Sequence, residues 1–344
     1  MGQDNIQDIS PDQASASVLS VMSDWHDVEK TENHALFKKA VSEQWHADDL
    51  NWAYPIDPAR ELFDAGSNPF MTPQLLALLG KSQREEFVVL SFNEQLSQIL
   101  HGEQGAMTVS CSIAQRMPNL DGKLFAVSQA MDEARHIEVL SRYIGRLRGT
   151  CAPAPGLSRL LDAILNAKHW QEQLVGMHIV LEGLALRTFS VLRKSTNCDL
   201  LRELLRLVMR DEARHLAFGH NALKSILQAM HPDDRAEVED FAVFLTRTLR
   251  ALGQSKEDLQ SAFANLVKVG IDPLDYIDML KVKKGPQNCP AETGNGFDRF
   301  VIPAFQKVGL ITDRVKPYYL AIELETANDL RALDDLEHWL RDSL

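Results

Sequence analysis

The sequence predicts an all-α protein built around a bundle of four antiparallel helices, with additional helices at its N- and C-terminal ends. Three observations predict this. Apolar residues recur in alternating steps of three and four along four separate stretches, the period of a helix with one buried face. No stretch alternates apolar and polar residues as a half-buried strand would. The third observation is a repeat: Asp132-Glu133-Ala134-Arg135-His136 returns as Asp211-Glu212-Ala213-Arg214-His215, and Glu103 and Glu182 keep the same offset of 79 residues. A duplicated helical hairpin is the economical source of such a register.

At 344 residues, with 45% hydrophobic and 24% charged residues, the composition is that of an ordinary soluble protein. Acidic residues outnumber basic ones 48 to 36, and a net charge of −12 repels nucleic acid and anionic membranes, so neither is an expected partner. The four cysteines, Cys111, Cys151, Cys198 and Cys289, form no C-x-x-C pair, which disfavours a zinc site, an iron-sulfur cluster or a redox dithiol. The first residues lack the basic start and apolar run of a signal peptide, and no apolar stretch approaches the ~20 residues of a membrane span. The expected location is the cytoplasm.

In chain order, residues 1–14 read as loose, polar chain, and 14–30 and 34–45 as short helices on the outside of the core. Residues 48–58 carry two prolines and read as an extended connection anchored by Trp52 and Tyr54. From 73 to 117 the pattern is one long helix, on which Val89, Phe92, Leu96, Ile99, Glu103, Ala106, Ser110 and Ile113 share a stripe. Residues 118–122 break it, with Asp121 the expected N-cap, and a second helix continues to about 147. A Pro- and Gly-rich linker at 149–156 separates the repeats. The third helix, divisible into two pieces, covers 158–194, with His178, Glu182, Leu186 and Phe189 on one side. After a turn at 195–199 comes the most regular helix, on which Glu212 and His215 interrupt the apolar seam of Leu201, Leu205, Val208, Gly219, Ala222 and Ile226. Helices follow over 235–252, 256–269, 273–281, 297–308 and 324–340, with a loop at 285–296. Segments 1–72, 73–230 and 231–344 read as an N-terminal dressing, the bundle and a C-terminal extension of one structural domain.

Spacing converts the repeat into a metal site. Glu103 and Glu133 flank Pro118 by 15 residues each, and Glu182 and Glu212 flank Asn197 by the same number. In antiparallel helices such residues meet at one level, roughly 20 Å from the turn at 1.5 Å per residue, deep inside the bundle. His136 and His215 follow Glu133 and Glu212 by three residues and point the same way. Two single glutamates and two Glu-x-x-His pairs are the ligand set of dinuclear carboxylate bundles, and four carboxylates nearly neutralise two divalent ions. Without metal, four buried carboxylates would repel one another at prohibitive cost. Mixed carboxylate and imidazole donors suit two iron ions; manganese or a mixed manganese/iron pair fits the same donors.

Each feature has a plainer reading. A lone Glu-x-x-His is ordinarily a solvated helix face; two copies in register on apolar stripes are not. Asp132 and Asp211 are either surface acids or acceptors for the far N–H of the ligand imidazoles, and the second is favoured. Arg135 and Arg214 either neutralise those aspartates or are solvated. His178, one turn before Glu182, is an extra ligand or a pocket residue beside the ligands or, more simply, a packed core histidine. His101 and His220 lie off the seam and are read as structural. Gly102, Gly105 and Ala106 around Glu103, with Met107, Ser110, Leu186 and Phe189, suggest an apolar substrate pocket.

Over residues 85–230 the chain resembles the ferritin-like di-iron carboxylate oxygenase superfamily, which includes the hydroxylases of bacterial multicomponent monooxygenases and the aminobenzoate N-oxygenases. His101-Gly102-Glu103 followed by Asp132-Glu133-Ala134-Arg135-His136 looks most like the hydroxylases. The resemblance implies that Glu103 and His136 bind one iron, Glu182 and His215 the other, and that Glu133 and Glu212 bridge them at the catalytic centre. Three positions depart from it. Leu186 stands where the hydroxylases carry threonine, Leu140 where the reductase subunit of the superfamily carries its radical tyrosine, and Val208 where the N-oxygenases add a histidine. On an unbroken third helix Leu186 would face the metals.

The expected function is therefore oxygen-dependent hydroxylation or N-oxygenation of a small organic substrate, with dioxygen as co-substrate. Desaturation and iron handling by a ferroxidase are the alternatives. No flavin, nucleotide or iron-sulfur signature supplies electrons from within, so an external donor such as a ferredoxin or reductase is the expected partner. A homodimer is compatible with everything above.

Overall fold

The computed structural model describes residues 28, 30–56, 62–63, 68–252, 255–282 and 296–326. Helices predominate, and among the described residues no strand forms; an isolated bridge joins Phe63 and Thr196. The helices are α1 (Glu32–Ser42), α2 (Pro73–Leu78), α3 (Lys81–Arg116), α4 (Leu120–Ile144), α5 (Pro155–Leu165), α6 (Trp170–Ser195), α7 (Asp199–Ala229), α8 (Pro232–Arg250), α9 (Lys256–Lys268), α10 (Pro273–Val282), α11 (Gly296–Val308) and α12 (Lys316–Thr326).

The bundle consists of two hairpins, α3–α4 and α6–α7. Its apolar filling is split in two along the axis. Towards one end Phe92, Leu96, Leu140, Phe189 and Leu205 form one cluster, and towards the other Val109, Phe125, Ile179, Phe218 and Ala222 form a second. On every one of the four helices the glutamates and histidines of the repeat fall between the two clusters. A fully buried aromatic or aliphatic side chain contributes about 1.5–3 kcal/mol, so each flank clamps the polar layer from its own side.

Several boundaries differ from expectation for local reasons. The helix expected over 34–45 ends at Ser42, leaving Trp45 outside it, and begins at Glu32, where the Thr31 hydroxyl accepts from the His34 amide. The single helix expected over 73–117 is two: Leu79 is extended, and a new helix starts after Gly80, whose amide donates to the Gln83 side chain at 2.9 Å. Asn119, not Asp121, occupies the N-cap of α4; Asp121 is buried in the first turn. The linker ends earlier than 156 because Pro155 takes the first helical position of α5, where its missing N–H costs nothing. The expected third helix is indeed two pieces, α5 and α6. α12 was not expected as a separate element. The expected features at 1–14 and 327–340, nearly all of 14–30 and of the 285–296 loop, and Cys289, lie outside the described residues.

α6 contains a π-helical segment, Val175–Leu181, ending at Glu182. It is also the one helix among the described residues long and apolar enough to cross a membrane, contrary to the expectation that none would be. Its hydropathy reflects its position: more than half of the apolar window is buried inside the bundle, and Glu182 and His178 point inward.

Candidate metal centre

The six repeat residues converge. Glu103, Glu133, His136 and Glu212 bring one donor atom each within 4.8 Å of one another, and so do Glu133, Glu182, Glu212 and His215. Glu133 and Glu212 belong to both groups. Each presents one oxygen to each histidine: Glu133 Oε2 lies 3.2 Å from His136 Nδ1 and Oε1 3.1 Å from His215 Nδ1, while Glu212 Oε1 lies 3.1 Å from His136 and Oε2 3.2 Å from His215. Glu103 Oε2 approaches His136 Nδ1 at 3.3 Å. All six side chains are buried.

This donor set fits a metal pair on evidence within the site itself. Three carboxylate oxygens crowd His136 Nδ1, which can carry one proton at most, and Glu133 Oε2 and Glu212 Oε1 are left without a hydrogen bond, as is Glu182 Oε2. Buried carboxylate oxygens without a partner are costly unless a cation takes them. In the metal-free protein, protons take that place. Burial, reinforced by the Glu212 charge, pushes the Glu103 carboxyl well above the usual carboxylate range, and burial likewise raises Glu182 against the pull of His215. Burial presses Glu133 upward too, but the His215 charge and the close approach of both imidazoles outweigh it and hold it well below its ordinary value. Burial alone would lower the two histidines. Hydrogen bonds to Asp211 and Glu103, with Glu133 and Glu212 close by, instead raise His136, and the charges of Glu133 and Glu212 raise His215.

The outer nitrogens are held crosswise. His136 Nε2 lies 3.3 Å from Asp211 Oδ2 and His215 Nε2 3.2 Å from Asp132 Oδ2, so each aspartate serves the histidine of the other repeat. Both aspartates stay ionised: burial raises them, but the partner histidine's hydrogen bond and charge outweigh it. Arg135 and Arg214 are buried and pair with both aspartates; Arg135 donates to Asp132 and, at 3.2 Å, to Asp211, and Arg214 to Asp211 at 2.5 Å. Losing one carboxylate that orients a ligand imidazole typically weakens metal binding 10–100-fold. Asp211→Asn should therefore weaken iron binding by about that factor in chelator competition, and an unchanged affinity would show that Asp211 does not orient His136.

Two contributions to the site come from outside the repeated motif. The segment after α1 closes it: Trp45 Nε1 donates to Asp211 at 2.7 Å, its ring stacks 6.5 Å from that of His136, Gln44 accepts from Arg135 at 2.6 Å, and Glu43 accepts from Arg214 at 2.8 Å. Nothing local marks these residues, which lie far from the repeat in sequence. Gln129 donates to Glu182 at 2.6 Å and Glu133 at 3.2 Å, and lies 2.8 Å from His178 Nε2 through its carbonyl. Its place one turn before Glu133 was a usable signal. His178 belongs to neither metal-sized group; it supports Glu182 through Gln129, and burial, then the His215 charge, lowers its pKa to about 3, keeping it neutral. His101 bonds the Cys151 carbonyl at 2.8 Å and is structural, as expected.

A cavity of about 210 Å³ reaches the centre from one side and ends on Glu103, Glu182 and Glu212. Ile99, Gly102 and Ala106 of α3 and Leu181, Ala185 and Thr188 of α6 line it. Of the seven residues expected there, Gly102 and Ala106 line it; Gly105, Met107, Ser110, Leu186 and Phe189 do not. At about 100° per residue the cavity faces the flank of α3 that carries Gly102 and Ala106, whereas Met107 lies on the opposite flank of Glu103 and Ser110 about 10 Å further along the axis. The same rotation on α6 turns Thr188 towards the cavity and Leu186 away. Phe189 is buried in the apolar cluster beside it.

A family model described as p-aminobenzoate N-oxygenase AurF matches residues 27–272, more than two thirds of the chain. Among solved structures, an R2-like ligand-binding oxidase with an aerobically reconstituted Mn/Fe cofactor is similar at 15% identity, covering 83% of this chain and 94% of that one with a TM-score of 0.44. A single-site variant of such an oxidase with an anaerobically reconstituted Mn/Fe cofactor is similar at 16% identity, over 83% and 94% of the two chains, with a TM-score of 0.48. No curated protein sequence matches the chain.

Proposed function

Because the chain belongs to the p-aminobenzoate N-oxygenase AurF family, we propose that this non-haem di-iron oxygenase converts a small organic amine to its hydroxylamine. The observation that carries the reading is the cavity that ends on three of the six converging side chains. Glu103 and His136 would hold one iron, Glu182 and His215 the other, with Glu133 and Glu212 shared between them. Bound there, the metal pair supplies the reduction and cleavage of dioxygen. The family resemblance calls for a further histidine at Val208, which here is a fully buried apolar residue, so the six residues form the whole proposed set.

The protein's own groups position and insulate. Asp132 and Asp211 fix the histidine rings from behind; Gln129, held by neutral His178, keeps the Glu182 carboxylate turned to the centre. The apolar cavity wall keeps water from competing with the substrate for the reacting side. The overall change is R-NH2 + O2 + 2 electrons + 2 protons giving R-NHOH + H2O, so an external donor such as a ferredoxin or reductase must supply two electrons. The described cysteines are free thiols, in keeping with a reducing, cytoplasmic compartment. Segments 1–72, 73–230 and 231–344 are proposed to form one domain, a reading supported by the packing of α1 on α4 and α7, and of α11 on α6 and α7.

The test is single and multiple turnover of iron-loaded protein with an aromatic amine, labelled dioxygen and a chemical or ferredoxin donor. One labelled oxygen atom in a hydroxylamine product, formed repeatedly only when donor is present, is expected. Oxygen uptake that tracks iron oxidation alone, with no labelled product from any amine, would point instead to ferroxidase activity.

A further inference from the structure

Gly102 and Gly105 both sit inside a long helix, where glycine is unfavourable and so marks a need for space. For Gly105 that need is packing: a Cβ there would lie 2.7 Å from Leu161 Cδ2. Gly102 is different. A Cβ there would meet nothing within 4 Å, because the residue borders the cavity beside Glu103. The repeat sharpens the contrast, since the position 79 residues later, immediately before Glu182, is Leu181, which lines the same cavity from α6. One half of the duplicated unit fills this space with a side chain and the other leaves it open.

The character of the wall is equally specific. Among the described residues no Lys, Arg or His lines the cavity. Gln98 has its amide committed, donating to the Ala152 carbonyl at 3.1 Å and accepting from the Ala154 amide at 2.6 Å. Thr188 offers one neutral hydroxyl. The cations nearest the centre, Arg135 and Arg214, are spent on Asp132 and Asp211. Arg187 does not reach inside: it borders a separate recess of about 570 Å³ with Glu94 and Ser91, which shares only Gln98 and Thr188 with the inner cavity. With the amine at the metal end, an acid group on the far side of the ring would lie against this wall as a buried charge with no partner, which is strongly disfavoured.

Resting on the oxygenase reading above, we propose that the cavity selects an uncharged aromatic amine rather than an amine bearing a carboxylate, and that Gly102 sets its size limit. p-Aminobenzoate itself, the compound that describes the family, is then a poor ligand for this chain, and a neutral molecule of the same shape is a good one.

The test compares 4-nitroaniline with 4-aminobenzoate, which differ in charge and little in shape, together with p-toluidine, as ligands of the iron-loaded protein by anaerobic equilibrium dialysis. Expected are binding of both neutral amines and at least tenfold weaker binding of 4-aminobenzoate. Gly102→Leu, which places in α3 the side chain that Leu181 has in α6, should weaken p-toluidine at least tenfold while metal analysis still finds two irons. Gly102→Ala adds only the Cβ and should weaken it less, without lowering the thermal midpoint. Equal or tighter binding of 4-aminobenzoate would overturn the charge assignment, and its loss in Arg187→Gln would place the acid group in the outer recess instead. Failure of all neutral amines to bind, or unchanged p-toluidine binding in both Gly102 variants, would overturn the proposal. Binding is read without turnover, so a neutral amine that binds but is never oxygenated counts against the oxygenase reading and not against this one.

Discussion

Glu133→Ala is expected to leave no more than about 0.5 iron per chain where the unaltered protein holds about two, a larger loss than at any glutamate that belongs to one group only. The reason is its double role in the geometry: one of its oxygens faces His136 and the other His215, so its removal takes a donor from both groups at once. Glu212→Ala should behave alike, for the same reason. Glu103→Ala removes a donor from one group only and should leave about one iron per chain. The contrast between the shared and the unshared glutamates is the informative readout. Metal analysis that finds two irons in Glu133→Ala, or equal losses in Glu103→Ala and Glu133→Ala, would contradict the shared role. Melting should report the same order, because a ligand present at about 1,000 times its dissociation constant adds about 4 kcal/mol per site, and the variants forfeit it.

Removing the metal should also invert the response of stability to pH. In the metal-free protein Glu103 and Glu182 are raised above their unfolded values by burial, and His136 and His215 are raised by their carboxylate partners. A group whose pKa rises on folding binds protons better in the folded state. Its contribution is complete below the unfolded pKa and is lost as pH climbs through the raised folded value. All four groups therefore act in one direction, and the metal-free melting temperature should fall by several degrees between about pH 6 and about pH 9, each net proton being worth about 1.4 kcal/mol per pH unit. Glu133, Asp132 and Asp211 are depressed, so their contribution is present above the ordinary carboxylate range and is lost only in acid, outside this window. Iron displaces the protons, and its affinity grows with pH as proton competition weakens. The stabilisation that iron brings should accordingly widen from pH 6 to pH 9. A metal-free melting curve that is flat or rising across that range would mean that the centre does not store protons in place of metal.

The Asp–His pairs illustrate what is hard to read from a linear pattern. Asp132 lies four residues before His136, yet its partner is His215, and Asp211 serves His136. In the metal-free state this crossing ties the two repeats together at their most charged point, so that a disturbance on α7 is felt on α4. Trp45 breaks the symmetry, since it bonds Asp211 and not Asp132, while Gln129 occupies on α4 the place that Val208 has on α7. The two halves of the centre are thus alike in donors and unlike in support.

What the sequence determined by itself was the helical class, the two-hairpin bundle and the six converging residues, because these depend on local periodicity and on a repeat whose register survives any detail of packing. A glutamate on a 3.6-residue stripe must face the interior whatever lies opposite, and equal distances from two turns put four of them at one level. The tertiary structure alone decided the plug from Glu43 to Trp45, the crossed aspartates and the side from which the cavity enters. Periodicity says which face of a helix is buried; it does not say which part of that face its neighbours leave unfilled. Met107, Leu186 and Phe189 were placed in the pocket because they neighbour the right glutamates, and they fall outside it because the open space is set by small residues, Gly102, Ala106 and Ala185, meeting across two helices. An empty volume is the joint property of side chains distant in sequence, and only their packing reveals it.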